Sequence, residues 1–195
     1  MTEKWDERMV TIESKFIGDF KLGDNINRNL EILELLYNQF DGSDDDDRRL
    51  LCKPIILLLA SIVEAVLYDL HTRIKLFTRE GVQNLTTSAI NYIRLAKIDD
   101  FAKYIDSAKK HNLFDDADKS FYEQMHEIRR LRNRIHIQNE KKDLPRDEYQ
   151  AFTTDKKRLT ERVLEKTLLT LADKFSRDQD HVESFSLPWD THFPA

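Results

Sequence analysis

Apolar residues recur along this chain at helical spacing, most plainly across residues 121–139. Phe121, Met125, Ile128, Leu131 and Ile135 follow one another at steps of four, three, three and four, which predicts one amphipathic helix. At about 100° per residue, Arg132 points into the middle of that stripe. Arg129 and His136 lie together on its edge, with Asn133 just beyond. A helix that needs only a solvated back does not aim an arginine at its own core face. The pattern asks for a partner, a substrate or both.

Similar spacing predicts the other elements. Residues 1–23 mix weak alternation with Gly18 and read as a short strand, an irregular arm or part of a helix. Asp24 or Asn25 is the expected N-cap of a helix to about Phe40, with Ile26, Leu30, Leu33, Tyr37 and Phe40 on one face. The acidic run 41–47 breaks it as a solvated loop, since its glycine is misplaced for a calcium loop. A second helix is expected over 49–78, with Pro54 in its first turn or kinking it and Gly81 as its C-cap. Its middle is apolar nearly all round and reads as the central, buried helix of a bundle. Ser61, Glu64, Tyr68 and His71 draw one polar stripe along it. A carboxylate there is costly unless paired, and the reading adopted is that Glu64 pairs with Arg132 or Arg129. Two shorter helices are expected over 86–96 and 99–112, and a last one over 146–175 with a fault near Thr153 and Thr154. In the tail, Phe185, Leu187, Trp189 and Phe193 are expected to dock on the body or on a second subunit.

The 195 residues suit one domain, here 1–195 with a core of about 24–176, an N-terminal arm and a C-terminal tail. Four Gly and four Pro are few, which points to an all-α protein with short connections. A net charge of -5 argues against a general nucleic-acid coat, yet residues 129–142 carry six Lys/Arg against one Glu. One cysteine, Cys52, suits a reducing compartment. The start lacks a signal-peptide core, and the apolar run 55–67 is too short to span a bilayer. The expectation is a cytoplasmic protein with no membrane partner.

Metal chemistry finds little support: His126 has no histidine four residues on, and no Cys pair exists. With so few glycines a phosphate-cradling loop is excluded as well, so no metal and no cofactor are expected. What remains is Arg, Asn and His at one helix end. Arginine grips phosphate with paired donors and can stabilise a phosphorane-like transition state. Histidine exchanges protons near neutrality. Together they suffice to drive a ribose 2′-hydroxyl onto the adjacent phosphorus.

The segment LRNRIHI at 131–137, preceded by a long helix carrying Ser61 and Glu64 in an apolar run, resembles the HEPN superfamily over about residues 24–176. That resemblance implies an up-and-down helical bundle with additional short helices. It implies a homodimer whose Arg…His motifs meet at the two-fold axis, and metal-independent cleavage of RNA. It also implies a toxin–antitoxin or phage-defence setting with an antitoxin or other regulatory protein. His136 matches the family histidine and Asn133 the polar residue after the arginine, with Ser61 and Glu64 in the orienting positions. Family spacing admits Arg130 or Arg129 as the arginine. Arg132 directly precedes Asn133 but has three residues between itself and His136. Wheel geometry orders them Arg132, Arg129, Arg130. The alternative is a non-catalytic HEPN module that binds RNA, nucleotide or a protein partner.

Overall fold

The computed structural model describes residues 9–77, 82–117, 119–136, 145, 147–178 and 181–193. The protein is all-α, with one small two-stranded sheet. Strand β1 (Thr11–Ile12) leads into α1 (Phe20–Gly42), which is followed by α2 (Asp45–Leu76), α3 (Thr87–Leu95), α4 (Phe101–Lys110) and α5 (Ser120–Arg132). A single 3-10 turn (Asn133–Ile135) follows α5, and α6 (Glu148–Ala151), α7 (Thr154–Phe175) and β2 (Phe185–Ser186) complete the order. Helix α2 is the axis, packing on α1, α3, α4, α5 and α7.

Helix α1 begins earlier than the sequence suggests. Asp19, not Asp24 or Asn25, is the N-cap, accepting from the Leu22 amide. Gly23 therefore sits in the first turn. A β-carbon there would collide with Val182, so this glycine marks a close approach of helix and tail rather than a break.

Helix α2 also starts early. Asp44 accepts from the Asp47 amide, and Asp45, Asp46 and Asp47 form the first turn, where their charges suit the helix dipole. The aspartate run is thus largely helix, not loop. Pro54 lies inside the helix, where its missing N–H leaves the Leu50 carbonyl without its helical donor. The helix stops at Leu76 with Phe77 as its cap; Gly81 lies outside the described residues.

Helix α2 is not buried all round. Cys52, Ile55, Ile56, Leu59, Ala60, Val63, Val66, Leu67 and Leu70 face the core, whereas Leu50, Ser61 and Tyr68 are exposed and Leu57, Leu58 and Ala65 half-buried. The open side is continuous at i, i+3, i+4 and i+7 spacing. By length and composition α2 could cross a membrane, but half of its most apolar window is buried inside the bundle.

Thr86, Asp100 and Thr153 cap α3, α4 and α7 through their side chains. The expected fault at Thr153 and Thr154 is the break between α6 and α7, so the helix expected over 146–175 is two, and Pro145 lies before the first. Asp116 accepts from the Phe121 amide at the start of α5, answering one of that helix's free donors. The N-terminal arm and the tail meet in the sheet, where Thr11 opposes Ser186 and Ile12 opposes Phe185. Phe185 and Leu187 are buried in the body, and the Trp189 indole donates to Glu165 of α7 at 2.6 Å.

Candidate functional site

The helix carrying the arginines ends at Arg132, seven residues before its predicted end. The 3-10 turn that follows explains where the side chains go. In that winding residues i and i+3 eclipse, so Arg134 falls in line with buried Leu131 and Ile135 is thrown outward. Arg134 is 7% exposed and its guanidinium donates to the Pro145 carbonyl, while Ile135 is 59% exposed. His136 follows in extended conformation (φ −86°, ψ 112°) and is exposed. The expected continuous helix is therefore corrected: the wheel that put His136 beside Arg129 applies only as far as Arg132. Residues 137–139 lie outside the described residues.

Arg132 forms an ion pair with Glu64 of α2. One of its amino groups also lies 3.4 Å from the Asn133 side-chain oxygen, donating to it. A guanidinium offers five N–H donors, so these contacts leave capacity for a further acceptor. The pair is only partly sheltered, with Glu64 22% and Arg132 37% exposed. Burial pushes the Glu64 carboxyl above the ordinary range; Arg132 opposes that shift and the nearby Asp100 charge adds to it. The proton on Glu64 is thus held more tightly than on a free glutamate.

Asp100 and Tyr104, at the start of α4, belong to the same neighbourhood and escaped sequence reasoning. Burial raises the Tyr104 hydroxyl pKa, and Tyr68, Glu64, Asp99 and Asp100 raise it further. The Tyr68 and Tyr104 rings meet edge to face with centroids 6.2 Å apart. The available signal was the i, i+4 step from Asp100 to Tyr104, which places both on one face of α4.

The three candidate arginines do not converge. Arg129 is half-buried, and its Nε has no hydrogen-bond partner among the described residues. It lies near His126, which bonds Asp106 of α4 at 3.1 Å. Burial holds the His126 pKa down, and the Arg129 charge contributes. Arg130 instead lies near Glu123, whose pKa is lowered chiefly by Lys109 and slightly by Arg130. Arg132 alone of the three pairs with α2. Ser61 is exposed, and its hydroxyl donates to the Leu57 carbonyl of its own helix at 2.7 Å. Cys52 is buried against Thr154, and burial raises its thiol pKa, which makes it a poor nucleophile.

The arrangement offers a guanidinium held by a carboxylate, an amide beside it and an accessible imidazole on the residue directly after that amide's turn. Such a set can bind a phosphate and move a proton. No protein-family model, curated protein or solved structure matches this chain.

Proposed function

We propose that this chain is a metal-independent endoribonuclease of the HEPN type that acts as a homodimer. The observation that carries the reading is the Glu64–Arg132 pair, a charged contact between two helices at the margin of an open apolar face of α2. Leu50, Leu57, Leu58 and Ala65 on that face, with exposed Ile135, suit a second copy of the chain. Two Arg132–His136 segments would then share one cleft on the two-fold axis. His136 takes the proton of the ribose 2′-hydroxyl, the 2′-oxygen attacks phosphorus, and the bond to the 5′-oxygen breaks. The products are a 2′,3′-cyclic phosphate and a 5′-hydroxyl once that leaving oxygen is protonated. Arg132 stabilises the charge that builds on the phosphoryl oxygens, and Asn133 orients phosphate or ribose. Arg129 and Arg130 are too dispersed to share this role and instead add positive potential around the cleft. A cytoplasmic toxin–antitoxin or phage-defence role, with a neutralising protein partner, follows from the same reading.

The test is purified protein with metal chelated and RNA as substrate. Cleavage to a 2′,3′-cyclic phosphate that His136→Ala abolishes is expected; cleavage that needs added metal overturns the mechanism.

One observation favours a second reading, a non-catalytic module that binds RNA, nucleotide or protein. His136 stands outside the arginine helix, while Arg129 and Arg130, the positions family spacing admits, point elsewhere. RNA affinity without turnover, equal in wild type and His136→Ala, would select it.

A further inference from the structure

Tyr68 has no role in the chemistry above. It is 46% exposed on α2, one helical turn from Glu64 and on the same face. The ring is also braced from beneath: Tyr104 meets it at 6.2 Å and 70°, is itself only 6% exposed, and rests on the buried His71 ring at 5.1 Å. The exposed tyrosine thus leans on one covered ring that is itself backed by another, which restricts its motion before anything binds and lowers the ordering cost of a contact.

Opposite charges are paired along the face. Arg132 pairs with Glu64, one turn from Tyr68, and Asp99 and Asp100 stand near Tyr104. Asp99 is held by Lys97 and Lys103, and Asp100 caps the Lys103 amide. A phosphate finds paired donors at the Arg132 guanidinium. A neutral nucleobase, with N–H groups on its edge, suits the ring among carboxylates.

We propose that Tyr68 is a stacking platform for an unpaired nucleobase adjoining the phosphate that Arg132 holds, which makes single-stranded RNA the ligand of this face. The proposal rests on the nuclease or RNA-binding reading of the same site. In the His136→Ala background, where RNA is not consumed, affinity for a short labelled single-stranded RNA is measured for Tyr68, Tyr68→Phe and Tyr68→Leu, with oligomeric mass and thermal midpoint recorded for each. Tyr68→Phe keeps the affinity, whereas Tyr68→Leu weakens it by about ten-fold or more with mass and midpoint unchanged. An abasic site in the RNA weakens binding to the tyrosine protein and leaves the Tyr68→Leu protein indifferent. Unchanged affinity in Tyr68→Leu overturns the stacking role alone, and loss of affinity that tracks a change in mass makes Tyr68 a subunit contact instead. Absence of any RNA binding by the parent protein overturns the earlier reading together with this one.

Discussion

Helix α2 carries two carboxylate–arginine pairs little more than a turn apart, and they are built to different ends. Asp69 and Arg73 are 5% and 2% exposed and lie i, i+4 on the same helix, with Arg73 Nε 3.2 Å from the carboxylate. That approach is Coulombic, since the angle does not make a hydrogen bond. The carboxylate instead accepts from the Gly18 and Asp19 amides at 3.0–3.1 Å. Arg73 reaches the Phe175 carbonyl at 3.3 Å, so the pair joins the N-terminal arm, α2 and the end of α7. Burial lowers the Arg73 pKa to about 10 against the pull of Asp69. The Glu64–Arg132 pair, by contrast, joins two helices and stays partly open to solvent. A charge pair enclosed on every side can only hold the fold. One left at the edge of an open face still has donors to offer.

Breaking the enclosed pair should have the largest effect. Asp69→Ala leaves Arg73 charged and buried and two amides without an acceptor, and is expected to cost about 3–5 kcal/mol in urea unfolding. Should Glu64→Ala cost as much, the two pairs are not different in kind.

Next comes acid. His71, buried on the same helix between Asp69 and Arg73 in the chain, has its pKa lowered to about 4 by burial. The folded state then binds fewer protons than the unfolded one between roughly pH 4 and 6.5, so stability falls as pH drops through that window. The upper limit is about 3 kcal/mol. Burial also depresses His111 and His126, which act in the same direction. His71→Phe should flatten this acid limb in thermal melts; an unchanged slope assigns it to the other histidines.

A smaller effect is expected at Gly18. A β-carbon there would lie 2.5 Å from Arg73 Cδ and 2.6 Å from its Cγ, so Gly18→Ala should cost about 1–3 kcal/mol in urea unfolding through overpacking.

The smallest change in stability, about 1 kcal/mol or less, belongs to Glu64→Gln, yet turnover or RNA affinity should fall because Arg132 loses the charge that aims it. Unchanged activity together with unchanged stability makes that pair idle.

Much of the architecture could be read before any coordinates. Helices α3 and α4 fall close to their expected spans, Thr153 stops and restarts the last helix, and the apolar stripe of α5 is buried from Phe121 to Leu131. The contact between Glu64 and Arg132 was legible for a simple reason: an arginine aimed at a core face and a carboxylate in an apolar run each need the other's charge. Local spacing failed at Gly23, because the tail residue that requires a glycine there lies far along the chain. It failed too at the open face of α2, since a run apolar all round looks the same whether or not every side is covered.

The amino-acid order alone therefore determined the helical class, most element boundaries and the need to pair a misplaced charge, all of which depend on residues within a few turns. Only the folded chain decided that α5 tightens after Arg132, that Arg134 turns inward while His136 turns out, and that Asp100 and Tyr104 stand beside Glu64. Those outcomes depend on which surfaces meet in space, and periodicity along one helix carries no record of its neighbours.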